Sequence, residues 1–283
     1  MERILLPLDG SRLSEAVVPL AEALARDYEA ELLLVRAVDL EGSPDIETAA
    51  QVAAREYLTG VAASLAARGL AGVRWRVWFG EADQVIANAA VQEGATLVTM
   101  STHGRSGLDR LRFGSIAESV VRKTPVPVVL IRGEVTWRPG ALGRILVPLD
   151  GSGRSEAVLP VVTRLAGPFD LVVDLLHAVE PPPVVSLAEA PAALGEDTGL
   201  RTTEAEAYLR RVAEPLEARG LRVSRVVEAG PALEAVCRRS TETGAGLIAM
   251  STHGRTGLGR VFLGSVAESI LRAVSVPVLL WKA

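Results

Sequence analysis

The stretch RILLPLDGSRLSEAV at residues 3–17 returns as RILVPLDGSGRSEAV at residues 144–158, and 12 of the 15 positions are identical. Each version joins a short apolar run to the polar sequence Asp-Gly-Ser and then to a segment with helical spacing. A strand followed by a tight turn and a helix is the opening unit of many α/β domains. The chain therefore begins the same unit twice.

A second repeat follows in each half. The sequence MSTHGRSGLDRLRFGSIAES at 100–119 matches MSTHGRTGLGRVFLGSVAES at 250–269 at 14 of 20 positions. The two copies are offset by 141 residues at the first motif and by 150 at the second, so the second copy holds nine extra residues, which we place in 180–199. This period is far too long for a solenoid.

We therefore predict two copies of one domain, at residues 1–133 and 144–283, with 134–143 as the linker. A length of 283 residues is ample for two hydrophobic cores, and 49% apolar with 23% charged residues is an ordinary globular composition. One cysteine excludes a disulfide framework, and a net charge of −4 shows no basic footprint for nucleic acid. Without a leader or a long apolar segment, we expect a soluble cytoplasmic protein.

Short β-branched runs alternate with helical patterns in each copy. The predicted strands of the first copy are 3–8, 31–38, 73–79, 95–100 and 126–131, and its predicted helices are near 12–27, 46–68, 82–93 and 115–123. The predicted strands of the second copy are near 144–149, 170–179, 222–228, 245–250 and 276–281. Several strands are nearly continuous apolar runs, which is typical of parallel strands covered on both faces. The sequence thus predicts two tandem, doubly wound α/β domains, each with a five-stranded parallel sheet.

Both repeated motifs begin where a strand ends. In doubly wound sheets, ligands bind beyond the carboxyl ends of the strands, at the point where the strand order reverses. If the strand order is 3-2-1-4-5, strands 1 and 4 flank that point. The sequence then predicts that Asp9 and the Ser101–Gly104 segment meet at one crevice, as do their counterparts in the second copy.

The second motif carries features that suit an anion. Gly114-Ser115 opens a helix, whose first N–H groups are unpaired and favour phosphate. Ser115 could cap this helix or bind a phosphate oxygen, and Arg105 adds a cation nearby. Asp9 could instead only hold its turn through Asx bonding. His177 occupies the position of Arg36 in the other copy, and we interpret it as a strand-end residue.

These motifs resemble those of the universal stress protein family, in its tandem form, over nearly all of both copies. ATP-binding members carry a Gly, two residues, a Gly, nine residues and then Gly-Ser after strand 4. Here Ser101 and Ser251 replace the first Gly, which is a departure from that pattern. The resemblance implies an adenine-nucleotide α-hydrolase-like fold and one ATP per copy, with Mg²⁺ bound through the phosphates.

The resemblance assigns the nucleotide contacts to matching positions of the two copies. The expected residues in the first copy are Pro7, Leu8, Asp9, Ala37, Val38, Met100, Ser101, His103, Gly104, Arg105, Gly114, Ser115 and Ile116. The expected residues in the second copy are Pro148, Leu149, Asp150, Ala178, Val179, Met250, Ser251, His253, Gly254, Arg255, Gly264, Ser265 and Val266. No residue is predicted to be catalytic or to ligate a metal.

Three functions stay open at this point. The favoured one is a nucleotide-dependent regulatory or interaction module in a stress response, because the sequence lacks a Walker loop and a nucleophile elbow. A weak ATPase or nucleotide-transferring enzyme is the alternative, and a ligand-free assembly scaffold is the third. The apolar fifth strands, VPVVLI and VPVLLW, need cover as sheet edges. The resemblance implies that the copies pair there as a pseudo-dimer, and that the chain can form a homodimer.

Overall fold

A computed structural model describes residues 1–39, 48–102, 114–133, 137, 141–180, 191–252 and 264–282. For residues 191–198 it describes the backbone only. The chain folds into two compact units. The first unit comprises Met1–Ala141 and Pro277–Lys282, and the second comprises Leu142–Val276.

The first unit alternates strands and helices along most of its length. Its elements in chain order are β1 (Arg3–Pro7), α1 (Arg12–Glu15), α2 (Val18–Asp27), β2 (Glu31–Val38), α3 (Ala49–Ala67), β3 (Val73–Phe79), α4 (Ala82–Gln92), β4 (Leu97–Ser101), α5 (Ser115–Lys123) and β5 (Val128–Ile131). The strands lie in the order β3-β2-β1-β4-β5, and all of these neighbours run parallel. The predicted fold class and strand order are therefore confirmed.

The second unit repeats this pattern with a longer helix. Its elements are β6 (Arg144–Pro148), α6 (Gly153–Glu156), α7 (Leu159–Ala166), β7 (Val172–Val179), α8 (Pro191–Glu217), β8 (Arg222–Ala229), α9 (Ala232–Thr243), β9 (Leu247–Ser251) and α10 (Ser265–Ala273). The strands lie in the order β9-β6-β7-β8 and run parallel. Helix α8 has 27 residues where α3 has 19, so part of the extra sequence of the second copy extends this helix.

The last strand of the chain, β10 (Val278–Trp281), belongs to the first unit in space. It lies antiparallel to β5, with Leu279 opposite Val129. The Lys282 ammonium also donates to the Arg122 carbonyl at 3.0 Å. Strand β5 therefore has a partner on each side, β4 and β10, and is not an open edge.

Burial explains why these runs become strands. Residues Leu32–Val35 of β2 are all buried, since helices cover both faces of the parallel sheet. Helix α3 begins at a capping box: Thr48 Oγ1 accepts from Gln51 N at 3.3 Å, and Gln51 Oε1 accepts from Thr48 N at 2.9 Å. Sequence and structure agree at β2 and α3 because the local sequence signals and burial favour the same secondary structure there.

The predicted helix at 12–27 is corrected to two helices. Helix α1 ends at Glu15, and α2 starts at Val18 with Pro19 in its first turn. Proline cannot donate a backbone hydrogen bond, so it suits a helix start and interrupts a continuous helix. Pro160 occupies the same place in α7 of the second unit, where the helix is broken in the same way.

Candidate functional site

An Asx turn follows the first strand of each unit. Ser11 N donates to Asp9 Oδ1 at 2.8 Å, and Ser152 N donates to Asp150 Oδ1 at 2.9 Å. The hydroxyls of Ser11 and Ser152 then cap α1 and α6. The turn-holding role left open for Asp9 is thus present at both aspartates, and it fixes each carboxylate at the carboxyl end of its strand.

The glycine after each aspartate is required by backbone geometry. Gly10 and Gly151 have φ of +80° and +82°, in the left-handed region that other residues rarely adopt. A Cβ added to Gly10 would also lie 3.2 Å from Nη1 of Arg36. A side chain at residue 10 would therefore displace the Arg36 guanidinium from its place beside the turn.

A backbone hydrogen bond joins the residue after β4 to the residue before α5, and the second copy has the same bond. Gly114 N donates to the Thr102 carbonyl at 3.0 Å, and Gly264 N donates to the Thr252 carbonyl at 2.8 Å. A Cβ on Gly264 would lie 2.9 Å from that same Thr252 oxygen. The backbone contact therefore requires glycine at position 264, and it places the start of α10 directly beside the end of β9.

Among the described residues, no side chain caps the N-terminus of α5 or α10. Their N-cap residues are Gly114 and Gly264, so Ser115 is the first helical residue and does not cap the helix, contrary to one of the two roles predicted for it. The first-turn N–H groups of such a helix attract anions. Ile116 and Val266, next in each helix, are 45% and 44% exposed, so the surface over this turn is open.

The sheet brings the two motifs together. Strand β1 lies between β2 and β4, with Leu5 opposite Val98, and the chain order reverses between β1 and β4. In the second unit, Leu146 lies opposite Ile248, and the Ser251 hydroxyl donates to the Ser155 carbonyl at 3.4 Å. Both motifs of each copy thus lie at the strand ends that flank the switch point.

The other expected contact residues lie at these same strand ends. Buried positions are Leu8, Met100, Leu149, Val179, Met250 and Ser251, and half-buried ones are Pro7, Ala37, Val38, Ser101, Pro148 and Ala178. Ser115 and Ser265 are exposed. The predictions for His103, Gly104, Arg105, His253, Gly254 and Arg255 lie outside the described residues.

A tyrosine that the sequence patterns did not single out lies beside the first Asx turn. The Tyr57 hydroxyl of α3 donates to Glu15 Oε1 at 2.9 Å. The guanidinium carbon of Arg36 lies 5.1 Å from the Tyr57 ring centroid, within cation–π range. Burial and the hydrogen bond to Glu15 raise the pKa of Tyr57, so the phenol stays protonated at neutral pH. Arg36 therefore lies near both the Tyr57 ring and Gly10.

The second copy has a matching tyrosine with different neighbours. The rings of Tyr208 and His177 meet edge to face, with centroids 5.6 Å apart. Arg211, one turn further along α8, has its guanidinium carbon 5.4 Å from the Tyr208 centroid. Burial, with the nearby carboxylates of Glu156 and Asp150, raises the pKa of Tyr208. His177 is thus part of this cluster and not only a strand-end residue.

One sequence signal could have revealed this cluster. Tyr57-Leu58 and Tyr208-Leu209 are the same dipeptide, but they are offset by 151 residues, whereas Arg36 and His177 are offset by 141. The extra residues between these points hide the match from a search at constant offset. Both leucines are buried, which fixes the tyrosines at equivalent faces of α3 and α8.

In the described part of the chain, no group of three or more His, Cys, Asp or Glu side chains is arranged to hold a metal ion. No helix in those same ranges has the length and apolarity needed to cross a membrane.

The fold and the paired motifs define a class: doubly wound α/β domains with a candidate ligand site at the switch point, present twice in one chain. The sequence model of the universal stress protein family matches residues 1–132 and 142–282. The chain therefore belongs to the universal stress protein family.

Individual relatives agree with this assignment. A universal stress protein of Mycobacterium tuberculosis is 30% identical over 192 residues, which are 67% of this chain and 62% of that protein. The chain thus spans less than two thirds of the length of that relative. One from Methanocaldococcus jannaschii is 34% identical over 141 residues, or 49% of this chain and 81% of that protein. The crystal structure of a universal stress protein from Archaeoglobus fulgidus shares the fold, with a TM-score of 0.73, 23% identity and coverage of 99% of this chain and 98% of that one.

Proposed function

We propose that this chain binds one ATP per copy and acts as a nucleotide-dependent regulatory or interaction module in a stress response. The observation that carries the proposal is the placement of both repeated motifs at the switch point of each sheet. The Asx turn after β1 or β6 and the uncapped start of α5 or α10 flank one edge of neighbouring strands. This is where doubly wound sheets bind ligands.

The donor groups at this edge suit a nucleotide triphosphate. The first turn of α5 offers backbone N–H groups to phosphate, without competition from a side-chain cap. The Asp9 carboxylate, held at the end of β1, suits a ribose hydroxyl or a phosphate-bound Mg²⁺. In this proposal Mg²⁺ arrives with the phosphates, and no protein cage holds it. In this proposal the adenine contacts the backbone of Ala37-Val38, two half-buried residues at the end of β2.

The test is calorimetric titration of the full chain with ATP and Mg²⁺. We expect two ATP molecules per chain, and one per chain after Gly114→Val or Gly264→Val. Gly143→Ala is the matched control, because a Cβ at Gly143 meets no atom within 4 Å and the residue lies before the amino end of β6, at the opposite end of that strand from the candidate site. Absence of ATP binding would refute the proposal. Full ATP binding by both valine variants would show that the nucleotide does not bind at the starts of α5 and α10, and would refute this site.

The same samples distinguish a binding module from a weak ATPase. We expect phosphate release from ATP to stay at the background rate while ATP remains bound. Release above background that disappears in Asp9→Ala and Asp150→Ala, with ATP binding kept, would instead support an enzyme. The two aspartates are the test positions because each carboxylate is held at its strand end by a hydrogen bond from a serine N–H.

We also propose that the two copies pair as a pseudo-dimer through their fifth strands and that the chain forms homodimers. The antiparallel pairing of β10, from the second copy, with β5 of the first copy supports the first part. Light scattering on the eluting protein measures the mass in solution. A mass of twice 29.8 kDa is expected for the homodimer, and a mass of 29.8 kDa at all concentrations would contradict it.

A further inference from the structure

The third residue from the end of the second strand is a different basic residue in each copy. In the first copy it is Arg36, whose guanidinium lies near Gly10 and over the Tyr57 ring. In the second copy it is His177, which packs edge to face on Tyr208. Arginine keeps its charge at all accessible pH values, whereas histidine gains or loses its charge between pH 5 and 8.

This position lies at the edge of the proposed nucleotide site. Arg36 directly precedes Ala37-Val38 in β2, and its guanidinium reaches the turn that holds Asp9. The equivalent His177 precedes Ala178-Val179 in β7. A cation here lies beside the turn where the proposal places the ribose, so its attraction for the phosphates of the same ligand changes the affinity for that ligand.

The described charged groups near His177 lie around its partner Tyr208 and on the neighbouring strand. Asp150 and Glu156 after β6 raise the pKa of Tyr208, and the Arg211 guanidinium of α8 lies over the Tyr208 ring. Arg225 of β8 is ion-paired at 3.3 Å with Glu217 of α8. Arg225 lies opposite Leu175, two residues before His177. Arg211 and Arg225 are charged throughout the range from pH 5 to 8, so they add a constant contribution.

We propose that Arg36 and His177 are specificity-determining residues that make the two nucleotide sites unequal. The second site gains affinity for a nucleoside triphosphate as the pH falls through the titration range of histidine, and the first site lacks this added dependence. This inference rests on the proposed ATP binding. It predicts that the ratio of the two affinities depends on pH, even if each affinity alone also varies with pH.

The ratio of the two ATP affinities is the quantity to measure, because two other kinds of titrating group act at both sites. The terminal phosphate of ATP titrates near neutral pH, and His103 and His253 occupy equal positions in the two copies. The phosphate acts on both sites alike, and a difference between the two histidines would persist in a variant that lacks His177. The site of the second copy is read in the Gly114→Val chain and that of the first copy in the Gly264→Val chain, each by calorimetric titration with Mg²⁺ and ATP.

Two exchange variants isolate the responsible residue. His177→Arg and Arg36→His each introduce the residue that the chain already carries at the equivalent position, which limits disturbance of the fold. Between about pH 8 and about pH 5.5, we expect affinity of the second site relative to the first to rise about three- to fivefold. His177→Arg should abolish this rise, and Arg36→His should give the first site the same dependence as the second.

The outcomes separate this inference from the function on which it rests. If ATP binds both sites with a pH-independent ratio, or if His177→Arg leaves the ratio pH-dependent, the inference is wrong and the proposed function stands. If neither site binds ATP at either pH, the proposed function fails and this inference fails with it. Circular dichroism of each variant at both pH values checks that the fold is kept.

Discussion

The two copies share one fold, but the same buried position of the sheet holds an apolar residue in the first copy and a carboxylate in the second. Leu33 of β2 lies opposite Leu5, and Asp174 of β7 lies opposite the equivalent Leu146. Both Leu33 and Asp174 have no exposed surface. In the second copy Arg239 forms two hydrogen bonds with Asp174, at 2.8 and 3.1 Å, where the first copy has Ala89.

This comparison shows that the sheet does not dictate the residue at its centre. A buried carboxylate is costly to desolvate unless it is paired, and here the bidentate arginine provides the pairing. Arg144 lies 3.4 Å from the same carboxylate. The fold therefore accepts either a leucine with an alanine, or an aspartate with an arginine, provided that both members change together.

A second difference lies between the helices that support the candidate site. In the first copy, Asp83 of α4 accepts hydrogen bonds from Ser119 and Lys123 of α5, both at 2.5 Å. The equivalent positions in the second copy hold Leu233 and Ala273, so this polar link is absent there. The helix that begins at Ser115 is thus anchored differently from the one that begins at Ser265.

The largest effect is expected when the buried pair is broken from one side. Asp174→Ala leaves Arg239 facing a buried site without its partner, so the free energy of unfolding of the second unit should fall by about 3 kcal/mol. Urea-dependent hydrogen exchange in peptides from β6, β7 and β9 measures this change. An unchanged stability would show that the buried pair contributes nothing relative to alanine.

Replacing both members sharpens the comparison. Asp174→Leu with Arg239→Ala recreates the leucine and alanine of the first copy, so the double variant should unfold within about 1 kcal/mol of the unmodified chain. A double variant as unstable as Asp174→Ala would show that the surroundings of the two copies have become specific for their own pair.

The next effect concerns the backbone beside the candidate site. Gly264→Ala places a Cβ only 2.9 Å from the Thr252 carbonyl oxygen, and a backbone atom cannot move aside easily. We expect a loss of about 1–3 kcal/mol in the free energy of unfolding, together with weaker ATP binding by the second copy. Chemical denaturation and calorimetry measure the two quantities. Normal values for both would mean that the segment after β9 adapts without cost.

The polar link between α4 and α5 predicts a pH-dependent stability in the first copy alone. The hydrogen bonds from Lys123 and Ser119 hold the pKa of Asp83 below its usual value. Its contribution is therefore complete above the unfolded pKa, near 4, and is lost as the pH falls through the folded pKa. At pH 7, Asp83→Asn should cost about 1 kcal/mol, because the pair is only partly buried.

This difference between Asp83→Asn and the unmodified chain should shrink as the pH falls from about 5 to about 2.5. Urea denaturation at several pH values follows it. Leu233→Asn in the second copy is the matched comparison, and its effect should not change over this range. A constant cost for Asp83→Asn at every pH would contradict the electrostatic origin of the link.

The smallest effect is a gain. Gly60 lies inside α3, where a Cβ meets nothing within 4 Å, and the equivalent residue of α8 is Arg211. Gly60→Ala should stabilise the first unit by about 0.5–1 kcal/mol, because alanine loses less backbone freedom in a helix. Thermal unfolding checks the direction, and a loss of stability would show that α3 needs glycine at this position.

Local signals and burial account for what the sequence could predict. Strand β2 and helix α5 have the boundaries expected from their apolar run and from Gly-Ser, because burial and the helix start act on the same residues. The placement of Asp9 and Ser101 at the ends of neighbouring strands followed from the strand order alone. The break between α1 and α2 was not predicted, because Pro19 lies within a stretch whose apolar spacing is otherwise continuous and helical.

What could not be predicted depends on contacts between distant residues. Asp174 sits in an apolar strand, and its partner Arg239 lies 65 positions later on a helix, so nothing local joins them. Tyr57 and Arg36 likewise meet only when α3 packs on β2. Such pairs arise from tertiary packing, which periodicity and repeat matching do not report.

The most direct measurement of the central claim is a crystal structure of the chain grown with ATP and Mg²⁺. We expect one nucleotide at the carboxyl ends of β1 and β4, and another at those of β6 and β9. The phosphates should lie at the starts of α5 and α10, and the ribose should lie beside Asp9 and Asp150. Nucleotide bound at any other place, or strand ends without nucleotide at saturating ATP, would contradict the account.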